Sequence, residues 1–446
     1  MKEGINRRNF LFSTAAAGAG MVLSPQAMAQ AGGKNKDTIN VAILGCGAQG
    51  QVLMDACLNM RDPNVRFVAV CDIWDYNQRR VSRTLKAYKN PNNTYVDYEE
   101  MLEKEKDLDA VIIATPDFWH SPHTVACLKK GLHVYCEKEM SNTLAGARAM
   151  VKAAKETGKL LQIGHQRRSN PRYIHCYEKL INDAQLLGRI TTVNGQWNRA
   201  AKPDLGWPKK YAMDQATLGK YGFKDMLQYR NWRWYKGLGG GPIVDLGSHQ
   251  IDIYNWFLGA HPKSVTASGG TDYYEKKTHE WYDTVMAIFE YETKKGMVRA
   301  FYQTITTNSS QGYFETFMGD KGTLQISESE GRGSIYREPS APEWDKWVKM
   351  GIINEPKEEE KPEADDDVLL DSRETPAPPA YELPVSMDKK KYHQPHLENF
   401  FAAVRGKAKL NCPAEDGYES AVSVLKVNEA VEARRTLSFK PEDFKV

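Results

Sequence analysis

Residues Thr38 to Leu44 read Thr-Ile-Asn-Val-Ala-Ile-Leu, an apolar run that favours a strand, and Gly45-Cys46-Gly47-Ala48-Gln49-Gly50 follows with no spacer. The helix-compatible stretch Gln51 to Met60 comes next. Glycine at the first, third and sixth positions of a strand-to-helix turn leaves a chain few folds to choose from. The first permits the tight turn, the second lets backbone approach a pyrophosphate, and the third lets helix and strand pack closely. Unpaired N–H groups at the start of the helix then face the anion. A second strand, Val65 to Cys71, ends in Asp72, 22 residues after Gly50. That is where a dinucleotide fingerprint places the carboxylate that accepts hydrogen bonds from the adenosine ribose. Asp72 would repel a 2′-phosphate, so these residues favour NAD over NADP, with Arg79 and Arg80 near enough to soften the preference.

The alternation continues. Asp109 to Ala114 is a buried-type strand ending in Thr115-Pro116, Ser121 to Lys130 reads as a helix stopped by Gly131, and His133 to Cys136 is a strand that delivers Glu137 and Lys138. A helix over Thr143 to Thr157 and a short strand from Leu160 to Ile163 complete the pattern. Strands and helices at these intervals predict an α/β fold that opens with a doubly wound parallel sheet over residues 38–163, a Rossmann domain. Ligands of such sheets lie beyond the carboxyl ends of the strands, which puts Thr115, Pro116, Glu137 and Lys138 on the working edge with Gly45, Gly47, Ala48, Gln49, Gly50 and Asp72. Later, Val265 to Val298 and Phe301 to Thr306 carry alternating or β-rich patterns, and His396 to Arg435 returns to helical periodicity.

Gly45-x-Gly47-x-x-Gly50, Ala114-Thr115-Pro116 with His120, Glu137-Lys138, Gly164-His165-Gln166-Arg167-Arg168 and the run from Gly239 through Asp245 and His249 to Asp252 occur in one order. As a set they resemble the Gfo/Idh/MocA oxidoreductases, over about residues 38 to 330 plus a C-terminal segment near 393 to 446. The resemblance implies a Rossmann domain followed by an α/β domain with a large, mostly antiparallel open sheet (164–392), completed by a C-terminal helical segment (393–446). It places the substrate between the domains and makes the sheet face a homo-oligomer interface. It also assigns roles: Thr115, Pro116 and His120 in the cofactor site, Glu137 near the nicotinamide ribose, Lys138 and His249 at the reacting carbon, Asp245 beside them, and Arg168 positioning the nicotinamide end. One departure stands out, since the family usually has Pro after its Glu-Lys pair and here Glu139 follows. That exchange is expected to relax the local backbone and to bring an extra carboxylate to the site.

Oxidising a secondary alcohol requires a base within hydrogen-bond reach of the hydroxyl. His249 suits that role, because imidazole titrates near neutrality. Lys138, as an ammonium, would stabilise alkoxide character on the same oxygen. Asp245 lies four residues before His249 and shares its face if Val244 to Phe257 is helical. The glycines before Asp245 would let backbone come close to a ligand. Asp245, His249 and Asp252 also have the spacing of metal ligands on one helix face, but neither a His-Glu-x-x-His motif nor a Cys cluster accompanies them, and no metal is expected. His393 and His396 mark the start of the C-terminal helix rather than a second metal pair. Trp197, Trp207, Tyr229, Trp232, Trp234 and Tyr235, with Arg230 and Arg233 interleaved, suit a carbohydrate platform, with Trp232 and Arg233 lining the substrate cleft.

The formal charge of +3 excludes a strongly basic nucleic-acid binder. Asn6-Arg7-Arg8-Asn9-Phe10-Leu11, the apolar small-residue stretch to Leu23 and Ala27-Met28-Ala29 resemble a twin-arginine export signal over residues 1–29. Its removal would leave a charge of +1 and implies folding in the cytoplasm, export through the twin-arginine machinery, and work in the periplasm or cell envelope without stable membrane insertion. Seven cysteines, an odd number without a Cys-x-x-Cys pair, read as small buried hydrophobes. Glu355 to Glu374 holds ten carboxylates against three bases and reads as a solvated loop.

The leading function is hydride transfer between a sugar, glycoside or cyclitol alcohol and a tightly bound NAD, since free nicotinamide cofactor is scarce outside the cytoplasm. The alternative is an NAD-dependent glycoside hydrolase or lyase acting by transient oxidation and elimination. A non-catalytic sugar sensor is a third option, which the intact Lys138, Asp245 and His249 set disfavours.

Overall fold

Six strands pair in parallel: β1 (Ile39–Leu44), β2 (Val65–Cys71), the short polar β3 (Asn93–Tyr95), which the sequence pattern did not show, β4 (Ala110–Ile113), β5 (His133–Cys136) and β6 (Leu161–Ile163). Their spatial order is β3-β2-β1-β4-β5-β6, the doubly wound arrangement expected. Every residue of β4 is buried, which is why its sequence shows no polar alternation. This computed structural model describes residues 37–356 and 380–446. The export signal and nearly all of the acidic segment lie outside the described residues.

The three glycines of the first turn divide their work as the motif predicts. Gly45 has φ +94°, and a Cβ there would stand 2.6 Å from the Ala114 carbonyl carbon. A Cβ on Gly50 would fall on the Gly45 carbonyl oxygen, whereas one on Gly47 would meet nothing within 4 Å. The following helix runs Ala48–Asn59, three residues ahead of the expected start, because Gly47 already serves as its N-cap. The helix expected from Ser121 likewise begins at Asp117, with Pro116 as N-cap.

The second sheet has nine strands: β7 (Ile190–Asn198), β8 (Pro262–Gly270), β9 (Thr284–Thr293), β10 (Gly296–Ile305), β11 (Tyr313–Gly319), β12 (Gly322–Ile326), β13 (Gly333–Arg337), β14 (Ala380–Glu382) and β15 (Leu437–Ser438). Their order is β14-β13-β12-β11-β7-β10-β9-β8-β15. The β7–β10 pair is parallel and its neighbours are antiparallel, so the sheet is mixed but mostly antiparallel. On β9, Val285, Ala287, Phe289 and Tyr291 are buried while Met286 and Ile288 are exposed, so one face carries the core and the other is open.

The helix Gly241–Leu258 packs on the inner face of this sheet, where Gly247 admits the ring of Tyr302. The glycines ahead of Asp245 were expected to approach a ligand, and they instead serve packing. Cβ atoms on Gly239, Gly240 and Gly241 would run into Trp232, Val244 and Trp281 respectively. The C-terminal segment divides between the domains. Gln394–Val404, with His393 at its N-cap, sends Leu397, Phe400 and Phe401 into the core under β1 and β2. Ala414–Ala433 lies along the Gly241–Leu258 helix. All seven cysteines are buried and unpaired, as expected.

Gly50→Ala should therefore lower the melting temperature, by overpacking worth about 1–3 kcal/mol. Gly47→Ala, at φ −66° with open space around it, should leave the melting temperature unchanged. Thermal unfolding of the two variants side by side checks this.

Candidate active site

At the carboxyl edge of the parallel sheet a cleft is lined by Gly45, Gly47, Ala48, Gln49, Asp72, Thr115, Pro116, His120, Glu137, Lys138, Trp232 and Arg233. Asp72 closes β2 with both carboxylate oxygens engaged, accepting from Cys46 N at 2.6 Å and Trp74 N at 2.7 Å. Burial pushes its pKa up to about 6 against the pull of those two N–H groups and of Arg230. Glu137 accepts from the Gln49 amide at 3.1 Å, and the same amide meets His393 Nε2 at 2.9 Å. Gly164 is needed behind it, because a Cβ there would stand 2.9 Å from the Glu137 carboxylate. His120 spans the Thr115 and Glu139 carbonyls, 2.7 Å from each, which ties the turn after β4 to the turn after β5.

Lys138 points out of the Rossmann edge and reaches the first turn of the Gly241–Leu258 helix. Its Nζ donates to the Asp245 carbonyl at 2.5 Å and lies 3.3 Å from Asp245 Oδ1. Arg233 Nε stands 3.1 Å from the same Oδ1, with its guanidinium over the ring of Trp232. Burial would raise the Asp245 pKa, but Lys138, Arg233 and Arg199 outweigh it and hold the carboxyl well below the ordinary range. One turn further, His249 is buried, its ring 5.4 Å from that of Trp197, and its Nδ1 has no hydrogen-bond partner. Burial first, then the charges of Lys138 and Arg167, push its pKa well below the usual histidine value. The expectation that His249 titrates near neutrality is thus corrected: the imidazole is neutral throughout the physiological range.

Several other expectations need correction. Arg168 does not reach the cofactor cleft. Its Nε donates to both Asp252 oxygens at 3.0 Å and its Nη1 to Asp416 at 2.6 Å, so it braces the domain interface. Asp252 is thereby turned from Asp245 and His249, and it also accepts from Ser420 at 2.6 Å. Gly50 acts through packing rather than as part of the cleft wall. The Lys138–Glu139 peptide is cis, and Glu139 Oε1 accepts from Met140 N at 2.7 Å. Glu139 is buried with Oε2 unpartnered, and burial pushes its pKa up to about 8. Tyr221, Phe223, Tyr229 and Arg230 roof the nucleotide end of the cleft instead of forming a sugar platform. The ring nearest His249 is Trp197, stacked on Tyr313 at 4.5 Å.

One residue escaped the sequence reading, and another was named there only as part of a motif, with no role. Asp117, in the first turn after Pro116, lines the cleft, and burial, offset in part by Arg233, raises its pKa to about 7. His165, just after β6, is buried with both ring nitrogens unpartnered, 4.0 Å from Asp252. Both follow carboxyl ends of parallel strands, the rule that had already picked out Thr115 and Glu137.

The chain matches the oxidoreductase family's NAD-binding Rossmann fold over residues 39–165 and its C-terminal alpha/beta domain over residues 179–439. The chain belongs to the Gfo/Idh/MocA oxidoreductase family. Among curated relatives, it is 30% identical to scyllo-inositol 2-dehydrogenase (NADP(+)) of Bacillus subtilis over 53% of this chain and 56% of that protein. It is 25% identical to inositol 2-dehydrogenase of Rubrobacter xylanophilus over 67% of this chain and 74% of that one. The chain thus spans little more than half the length of the first relative. Of solved structures, levoglucosan dehydrogenase in complex with NADH and L-sorbose superposes with TM-score 0.66 at 15% identity, over 90% of this chain and 99% of that one. Aldose-aldose oxidoreductase of Caulobacter crescentus gives 0.65 at 18% identity, over 90% and 100%. These similarities establish the shared fold.

The site residues fit a nicotinamide dinucleotide on observations of their own. Space is open over Gly47, Asp72 closes the second strand, and both ring nitrogens of His165 and Nδ1 of His249 are buried without a hydrogen-bond partner.

Because Asp117 ionises near pH 7 beside Asp245 and Lys138, added negative charge there opposes alkoxide formation. The kcat/KM for alcohol oxidation should carry a descending step near pH 7 that Asp117→Asn removes, and pH-rate profiles of both proteins check it. Glu139 has a folded pKa of about 8 against an ordinary 4.5, so it costs stability increasingly as pH rises through that window. The melting temperature of Glu139→Gln should gain on the wild type from about pH 5 to pH 8 and run parallel above it, as scanning calorimetry across pH would show.

Proposed function

We propose that the protein transfers hydride between a secondary alcohol of a sugar, glycoside or cyclitol and a tightly held nicotinamide dinucleotide, NAD in preference to NADP. The observation that carries this reading is the convergence of Lys138, Asp245 and a neutral, buried His249 beyond the cofactor edge of the parallel sheet. A bound nicotinamide supplies the hydride acceptor or donor. The remaining work falls to this chain's side chains. Lys138 donates to the alcohol oxygen and favours its alkoxide character. His249, already deprotonated, takes the hydroxyl proton and returns it in the reverse direction. Asp245, kept ionised, accepts a hydrogen bond from a neighbouring substrate hydroxyl and orients the ring to be oxidised.

Inositol dehydrogenases among the relatives and levoglucosan dehydrogenase among the structural neighbours support a polyol substrate. The preference for NAD rests on Asp72, and Arg79 is engaged by Asp75 at 2.6 Å, which lessens its use as a phosphate partner. Tight retention is supported by the roof of Tyr221, Phe223, Tyr229 and Arg230 over the cleft. Retention would also suit export through the twin-arginine route to the periplasm or cell envelope. The exposed Met286 and Ile288 on the open sheet face support a homo-oligomer.

Denaturing the purified protein should release NAD detectable by mass spectrometry, and Gly47→Ala should release little. Sugars and cyclitols should raise the absorbance of reduced cofactor, and His249→Ala should slow that step by about 100-fold or more. Nucleotide-free protein, or an unaltered rate in His249→Ala, would refute the assignment.

A further inference from the structure

We propose that the sugar oxidised here carries a carboxylate, as a uronic acid or glycosiduronate does, and that Arg199 is the specificity-determining residue that receives it. The proposal rests on the dehydrogenase reading of the same site. Arg199 directly follows the last residue of β7, and its backbone N–H donates to the Ile305 carbonyl at 2.7 Å, which anchors the residue at the sheet edge. Its guanidinium lies over the Trp197 ring, 5.0 Å from the centroid. That same indole stands beside His249 and stacks on Tyr313. Arg199 and His249 are thus neighbours across one indole, so a ligand with its reacting carbon at His249 has a guanidinium close by.

The arginines around the site differ in occupation. Arg167 is paired with Glu315 and Glu328, Arg168 with Asp252 and Asp416, and Arg233 with Asp245. Arg199 is exposed, and among the described residues no carboxylate pairs with it. Its guanidinium and the His249 imidazole both lie against the Trp197 ring, 5.0 Å and 5.4 Å from its centroid. Lys138, Arg233 and Arg199 thus gather about the single strongly acidic carboxyl of Asp245, with Asp117 only partly ionised at neutral pH. A stacked guanidinium presents two parallel N–H groups, which match the two oxygens of a carboxylate. One such cation balances a monoanion and leaves a phosphate dianion half neutralised.

Matched pairs test this: D-glucose against D-glucuronate, D-galactose against D-galacturonate, their methyl glycosides, and glucose 6-phosphate. Calorimetric binding and reduction of bound cofactor are both measured, on wild type, Arg199→Gln and Arg199→Lys. Wild type should favour a uronate over its neutral partner by about 100-fold, the ratio should collapse towards one in Arg199→Gln, and Arg199→Lys should be intermediate. Equal use of acidic and neutral sugars by wild type, or a ratio unaltered in Arg199→Gln, would overturn the proposal while leaving the dehydrogenase reading intact. A preference for glucose 6-phosphate over glucuronate would overturn the carboxylate assignment. Arg199-dependent uronate binding without any cofactor reduction would uphold the anion site and refute the dehydrogenase reading instead.

Discussion

Lys138 lies two residues beyond the parallel sheet's fifth strand, Asp245 lies near the start of the helix that covers the other sheet, and the hydrogen bonds between them join the two domains. The ammonium and the carboxyl are both largely withdrawn from water. At reduced dielectric their attraction is stronger, and so is the penalty for separating them. The relative placement of the domains therefore governs the state of the site: with Lys138 in reach, Asp245 stays ionised. His249, one helical turn on and deep in the same positive field, stays neutral. A single interdomain contact thus helps set the charge states of Asp245 and His249.

Behind this contact stands a set of buried ion pairs that hold the helix and the second sheet to the end of β6. Arg167 is fully buried, bonded to Glu315 and Glu328, with Tyr173 donating to Glu315 at 2.7 Å. Arg168 joins Asp252 of the Gly241–Leu258 helix to Asp416 of the C-terminal helix. A buried charge is tolerable only when paired and hydrogen-bonded, so such clusters specify one arrangement more than they add stability. They brace Asp245 and His249 from the side away from the cleft.

The parallel sheet was legible because strands buried on both faces read as continuous apolar runs, and the helices between them declared themselves by their stops, such as Gly158 at φ 64°. The positions of Thr115, Glu137 and Lys138 followed from one topological rule. Arg168 was misread because its motif neighbours lie in the site while its partners lie 84 and 248 residues away. The aromatic stretch around Tyr229 was legible as a cluster but not as a roof, since its packing against Trp74 depends on a loop folding back over the Rossmann edge. Asp117 drew no notice in the sequence, because what sets it apart is burial that shifts its proton affinity.

Local pattern by itself determined the nucleotide turn, five of the six strands and three of the helices of the first domain, and the residue types available for proton and hydride chemistry. Those features depend on backbone conformation and on burial periodicity, both of which are encoded within a few residues. Tertiary structure decided which charges meet: Lys138 with Asp245, Arg168 with Asp252, and Arg199 with no carboxylate among the described residues. Electrostatic partnership depends on distance through space and on the water excluded between groups, and neither quantity exists until remote segments have packed together.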